Sequence, residues 1–181
     1  EKASTYTRLV LELSNQLYDS IAAKQLNPTE ITESDGGWRR EPLSKLCRMY
    51  QPKTLSKSEL VPGGEYPVYG ANGVIGRYSE FNHAERQLLV TCRGATCGAV
   101  NISEPKSWIN GNALVVQPLD NSLSVDYLEY VFRSGIDISP AITGSAQPQI
   151  TRASLSPLEI FYPVEQSKQA RVVHQLRQLT D

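Results

Sequence analysis

Histidine and cysteine are scarce in this chain. His83 and His174, with Cys47, Cys92 and Cys97, are all it has, which leaves little material for a His-based metal site or a nucleophilic triad. The three cysteines form no even set and no CxxC pair, and no partner group completes a zinc site around Cys92 and Cys97. All three are expected to be small apolar fillers or reduced thiols. No apolar run approaches the roughly 18 to 20 residues of a membrane-spanning helix. The opening Glu1-Lys2-Ala3-Ser4 has no signal-peptide apolar core. The sequence does not begin with Met, so a fragment or trimmed chain is expected, with cytoplasmic location as the default.

Catalytic signatures are missing as well. There is no Gly-rich phosphate loop ending in Gly-Lys-Ser/Thr and no strand–GxGxxG–helix unit. The run Gly70-Ala71-Asn72-Gly73-Val74-Ile75-Gly76 has suitable residue types, but it lies between strand-like segments and reads as turn chemistry. No Asn/Asp-Pro-Pro-Tyr/Phe tetrad of an adenine methyltransferase occurs, and no paired-carboxylate nuclease pattern stands out. These absences favour a non-catalytic binding module.

What is present fits a folded domain. The 181 residues are 40% hydrophobic and 20% charged, with a formal net charge of −1. That balance gives no whole-chain argument for nucleic acid, but its distribution is uneven. Between Trp38 and Leu60, Arg39, Arg40, Lys45, Arg48, Lys53 and Lys57 face only Glu41 and Glu59. Phosphate attraction acts within a Debye length, so a neutral protein with one basic face can bind DNA; a solvated charged segment would read the same way.

Residues 3–26 have helical periodicity, with Tyr6, Val10, Leu13, Leu17 and Ile21 on one stripe widened by Leu9. Asn27-Pro28 stops this helix, and a polar linker runs to Asp35-Gly36-Gly37. Short β-rich runs follow at Tyr66–Tyr69, Gln87–Cys92, Gly98–Ile102 and Ala113–Gln117, punctuated by glycines. Val125–Arg133 reads as a helix with Ser124 as a candidate N-cap. Leu158–Pro163 reads as a strand, and 164–181 as a second helix striped by Val172, Val173, Leu176 and Leu179, with Gln166, Lys168 and Gln169 as polar neighbours. The two striped helices either cap the domain's own core or extend into a coiled coil with another segment.

Four blocks in order carry a resemblance: Gly64–Tyr78 with its Asn72-Gly73 turn, Leu88–Val100 around Arg93-Gly94, Ser107–Val116 around Asn110-Gly111-Asn112, and Thr143–Thr151 leading to Pro163 and Glu165-Gln166. Any one is weak. In series they strongly resemble one target-recognition domain of a type I restriction–modification specificity subunit. The sequence departs from that family at Phe161-Tyr162-Pro163-Val164, where relatives often read Pro-Pro-x-x-Glu-Gln, which touches the domain–helix junction.

The resemblance implies an α+β fold: an irregular, strongly curled, β-rich recognition domain over residues 38–163. A spacer helix (1–27) and linker (28–37) would precede it, and a second coiled-coil-type spacer helix would begin at 164–181. It implies a prokaryotic specificity subunit that reads one half of a bipartite site on double-stranded DNA. Its partners would be modification subunits bringing S-adenosylmethionine, a restriction subunit using ATP and Mg, and a second recognition domain or second copy reached through the helices. No cofactor is expected on this chain. Lys53, Lys57 and Arg152 are candidates for phosphates, with Arg39 and Arg40 behind them, and Arg77, Gln147 and Gln149 for base edges. Arg93 is a further DNA candidate, or else a strand-end arginine holding carbonyls or a carboxylate. Gln147-Pro148-Gln149 also fits a backbone role. Tyr66, Tyr69 and Tyr78 are expected in core and sheet packing, and Trp38 and Trp108 in the core. Three other readings stay open: the recognition region of a fused restriction–methylation enzyme, a protein-interaction module working through its helices, and a small-molecule or carbohydrate enzyme.

Overall fold

The structure is a computed structural model describing residues 2–27 and 37–179, with side chains from Thr7 onward. The proposed linker over 28–37 therefore lies, except for Gly37, outside the described residues. Helix α1 spans Lys2–Leu26. Its middle turns are exposed, with Val10 and Leu17 each 63% exposed, whereas Ala22 and Leu26 at its end are buried. Among the described side chains of α1, the apolar stripe is thus covered only toward its C-terminal end.

Nine short strands make three small sheets among the described residues. Strand β1 (Trp38–Pro42) pairs antiparallel with β9 (Glu159–Pro163), joining two segments far apart in the chain. The central sheet has the order β2-β8-β5-β6, from Cys47–Tyr50, Ala113–Pro118, Leu88–Thr91 and Val100–Ile102. The third sheet, β4-β3-β7, uses Gly73–Tyr78, Tyr66–Gly70 and Trp108–Ile109.

Alternation along the central strands explains how these parts stack. Cys47, Met49, Leu88, Val90, Leu114 and Val116 face one way, into a large core. That core is closed by α1, by α3 (Val125–Tyr130) and by α5 (Gln166–Gln178). Leu89, Ala113 and Val115 face the other way and meet Tyr69 and Ile109 of the third sheet, with Tyr50 at the edge. The central sheet is buried on both faces, which is why Leu88–Thr91 reads as a continuous apolar run. Two short helices, α2 (Leu43–Leu46) and α4 (Arg152–Leu155), complete the fold.

The α+β class holds, but no sheet is strongly curled. Sheet twist accumulates strand by strand, about 20 to 25° at a time, and four strands of at most six residues accumulate little. The positive-φ glycines Gly63, Gly73, Gly94, Gly98 and Gly144 serve mostly in turns between strands. One register shift, between Val68 and Tyr69, is the irregularity in the β3–β4 pairing.

Three side chains differ from their sequence reading. Trp38 and Trp108 are only half-buried, and the Trp108 indole nitrogen has no acceptor among the described residues. Gln169, read as a polar neighbour, is fully buried. Helix α3 begins at Ser124, whose hydroxyl accepts the Tyr127 N–H at 3.1 Å, as the N-cap reading requires. It ends in a widened turn, Val131–Gly135, with Ile136 N–H bonded to Val131 C=O at 2.9 Å. Leu26 of α1 packs there against Gly135, where any added Cβ would lie 2.9 Å from the Leu26 Cβ.

Candidate nucleic-acid interface

The C-terminal ends of β2 and β5 and the start of β8 converge at one end of the central sheet. The chain leaving β5 is shaped by Gly94, at φ +89°. Gly94 N–H reaches Pro148 C=O at 3.3 Å and Ile150 N–H reaches Cys92 C=O at 2.9 Å, so the 143–150 loop is docked alongside Cys92-Arg93. Within that loop Thr143 and Gln149 exchange both backbone bonds at 2.8 Å. Gln149 therefore has the backbone role anticipated for its block, while its side chain stays exposed.

The result is a concavity of about 360 Å³ whose rim includes Tyr50, Gln51, Arg93, Gln149 and Arg152. Three residues nominated from sequence, Arg93, Gln149 and Arg152, come together here. A second hollow of about 300 Å³ shares Met49 and Arg152 with it and is also lined by Arg48. The two hollows adjoin through Met49 of the edge strand β2 and Arg152, and taken together as a groove they are lined by three arginines, Arg48, Arg93 and Arg152.

Neither Lys53, Lys57, Arg48, Arg93 nor Arg152 has an ion-pair partner among the described residues. Arg40, Lys45, Arg86, Arg133, Lys168 and Arg177 each do. Among the described residues the arginines at the groove therefore carry charge that no carboxylate offsets, as do Arg39, Lys106 and Arg171 away from it. Guanidinium groups bind phosphate bidentately, and exposed amides such as that of Gln149 have both donor and acceptor for a base edge.

Lys53 and Lys57 sit on the loop that continues from Gln51. A buried amide holds this loop: Asn110 Oδ1 accepts the Leu55 N–H at 2.7 Å, and its Nδ2 donates to the Leu55 carbonyl at 3.1 Å. Gly111 lets the loop lie close, since a Cβ there would sit 2.6 Å from the Pro52 carbonyl oxygen. Gln51 Nε2 donates to the Gly111 carbonyl at 2.9 Å. The Asn110-Gly111 block thus serves as the seat of the lysine loop. Glu59, near these lysines, accepts from the Ser56 N–H and hydroxyl, and these bonds hold its carboxyl below the usual range.

Other nominated residues sit apart from the groove. Arg77 directs its Nε and Nη2 at the carbonyls of Gly64 and Glu65, clamping the turn that leads into β3. Gln147 is exposed on the 143–149 loop. Arg40 pairs with Glu159 at 2.8 Å and covers the Phe161 ring, while Arg39 lines a different hollow with Glu41 and Asp120. The Asn72 turn packs on β5, its Oδ1 accepting from Thr96 Oγ1 at 2.7 Å and the Ala71 carbonyl accepting from Thr91 Oγ1.

Sequence reasoning missed Arg48, Tyr50 and His83. For Arg48 and Tyr50 the signal was the alternation Cys47-Arg48-Met49-Tyr50, which places both on one face of a strand; His83, in the loop between β4 and β5, had none. The Arg48 guanidinium lies 4.6 Å from the Tyr50 ring centre. Burial alone lowers the His83 pKa and raises that of Cys47 to about 12, leaving an inert thiol. Among the described residues, no three His, Cys, Asp or Glu side chains cluster as metal ligands, and no helix is long and apolar enough to cross a membrane.

Comparison with known proteins places this geometry in context. The family described as type I restriction modification DNA specificity domain matches residues 36–181. The type I restriction enzyme EcoprrI specificity subunit of Escherichia coli is 25% identical over 129 residues, covering 69% of this chain and 32% of that protein. The crystal structure of a type I restriction–modification S subunit from M. genitalium shares the fold at a TM-score of 0.66 and 19% identity, over 84% of this chain and 40% of that one. A chain from work on complex assembly and conformational transition of the type I R-M system aligns at a TM-score of 0.72 and 20% identity, over 99% of this chain and 48% of that one. The chain thus spans about a third of the curated relative and less than half of either solved chain.

Proposed function

Because the chain belongs to the type I restriction–modification DNA specificity family, we propose that it supplies sequence choice for such a complex by reading one half of a bipartite site on double-stranded DNA. The observation that carries this reading is the groove along β2, where Arg48, Arg93 and Arg152 lack carboxylate partners among the described residues and Gln149 stands at the rim. Arginines there would hold phosphates and fix register, and amides and loop side chains would read base edges. Lys53 and Lys57, seated by Asn110, would extend the phosphate contacts. Gln147 is assigned a neighbouring loop contact, and Arg77 supports its own turn rather than a base.

The chain itself performs no reaction in this scheme. Modification subunits with S-adenosylmethionine and a restriction subunit with ATP and Mg supply methylation and cleavage. Residues 38–163 form the recognition domain, and the segments 1–27 and 164–181 belong to spacer helices. The exposed stripe of α1, through Leu13 and Leu17, suits packing against a helix of a second recognition domain or second copy in coiled-coil fashion.

Exchanging residues 38–163 between two complete systems and sequencing the host methylome tests this directly. One half of the modified motif is expected to follow the exchanged segment; an unchanged motif overturns the assignment. In duplex binding by the intact protein, Arg93→Ala and Arg152→Ala are each expected to lower the salt slope by about 1.

A further inference from the structure

The side chains behind Arg48 form a chain of contacts that the DNA-reading function does not explain by itself. It begins on β7. Asn82 is clamped to the Ile109 backbone, its Oδ1 accepting the N–H at 2.8 Å and its Nδ2 donating to the C=O at 3.0 Å. That pair fixes which way the amide points, so Oδ1 is the atom 2.6 Å from His83 Nδ1. A carboxamide oxygen only accepts, so Nδ1 carries the proton and Nε2 is an acceptor. Tyr50 Oη lies 2.8 Å from Nε2 and donates to it, with Gln117 Oε1 as a second acceptor at 3.3 Å.

The two rings also stack, their centres 5.9 Å apart and their planes 15° from parallel. Tyr50 is thereby held at its hydroxyl and across its face. Arg48, exposed and on the same side of β2, places its guanidinium 4.6 Å from the centre of that ring. An exposed arginine is ordinarily free to sample many rotamers. Ordering it before DNA arrives lowers the entropy lost on binding, so a fixed ring beneath it raises affinity without touching DNA.

We propose that His83 is a positioning residue: through Tyr50 it fixes Arg48 over the groove, preorganised for a phosphodiester oxygen. This rests on reading the groove as the DNA contact, and it deepens that reading by naming which side chains set its geometry. His83 touches no DNA. Its bonds run from a backbone anchor in the third sheet to the edge strand of the central one, so a phosphate contact is tied to the packing between two sheets.

A double-mutant cycle on the intact protein tests the idea, with a fluorescein-labelled random-sequence DNA duplex as the probe and anisotropy as the readout. His83→Phe keeps the stacked ring and removes both hydrogen bonds; Tyr50→Phe keeps the ring under Arg48 and removes its tether, and serves if the first variant folds poorly. Each is expected to weaken binding about threefold when Arg48 is present and to have no effect in an Arg48→Ala background. Equal losses in both backgrounds overturn the proposal and leave His83 a structural strut. If Arg48→Ala binds normally while Arg93→Ala and Arg152→Ala bind weakly, the positioning role is overturned and the groove assignment stands. If all three arginine variants bind like the parent protein, the groove assignment fails, and this inference with it.

Discussion

Gln169 accepts the Ser124 backbone N–H at 2.9 Å through its side-chain oxygen, joining the start of α3 to α5 inside the protein. The same amide donates to the carbonyls of Ser122 at 2.7 Å and Pro163 at 2.8 Å. One fully buried side chain thus ties together the entry to α3, the end of β9 and the first turn of α5. Gln169→Ala leaves one donor and two acceptors without their partner, the Pro163 carbonyl fully buried and the other two partly so, and each such buried group costs on the order of 1 to 3 kcal/mol. A loss of about 3 kcal/mol is expected in urea unfolding, against less than about 0.5 kcal/mol for exposed Gln178→Ala. Similar small losses for both would show that the network carries no stability.

Asn110 plays the corresponding part at the interface. Asn110→Ala leaves the Leu55 N–H and C=O unpaired and frees the loop bearing Lys53 and Lys57. Stability is expected to fall by about 2 kcal/mol. At a temperature where the variant stays folded, binding to duplex DNA should weaken as well. Leu55→Ala provides the contrast, since it removes apolar packing but leaves both backbone bonds to Asn110 in place. Equal DNA affinity in the parent and Asn110→Ala proteins would separate the loop from binding.

His83 gives the fold a defined acid response. Burial lowers its pKa, whereas an unfolded histidine titrates near 6.5. Above that value both states are neutral and the group has no effect. Below it the unfolded chain takes up the proton first, so stability falls with pH and levels off only once the folded His83 also protonates. Glu59, Asp120 and Asp137, whose pKa values are lowered by hydrogen bonds from serines, add their losses further down, around the carboxylate range near pH 4. Unfolding measured between about pH 7 and pH 5 should show a decline in the parent protein that His83→Phe reduces.

The two ends of α1 should respond oppositely to substitution. Leu26, 2% exposed and seated on Gly135, is expected to cost about 2 to 4 kcal/mol as Leu26→Ala. Leu13→Gln and Leu17→Gln, at positions 55% and 63% exposed, should change unfolding of this chain by less than about 0.5 kcal/mol. Destabilisation by Leu13→Gln and Leu17→Gln comparable to that by Leu26→Ala would mean that the stripe is covered within this chain.

Much of this structure was legible because it is local. Helical spacing placed α1 within a residue of its observed start, and Ser124 announced a helix by its capping chemistry; the Asn72-Gly73 pair marked a turn, whose two loop residues are Ala71 and Asn72 with Gly73 opening β4. The strands Leu88–Thr91 and Ala113–Pro118 showed in their β-branched and apolar runs. Strand β1, Trp-Arg-Arg-Glu-Pro, had no such pattern. It is a strand because β9, far along the chain, supplies its partner, and no local signal reports that. Gln169 was misread for the same reason, since its three bonds come from separate segments. At the interface, Arg93, Gln149 and Arg152 were nominated separately from composition and block resemblance, but their meeting at one groove is a product of topology. Arg48 was counted in the basic stretch but not singled out, because nothing local to it reports the Tyr50 ring that its guanidinium covers.

The central sheet is walled by apolar layers on both sides; Met49 and Tyr50 at the groove belong to those layers, but its exposed polar side chains do not. Arg93, Gln149 and Arg152 are exposed, so replacing them costs the scaffold little. A lineage can therefore rewrite its rim one residue at a time while the architecture beneath goes on folding as before, which makes target preference heritable separately from foldability.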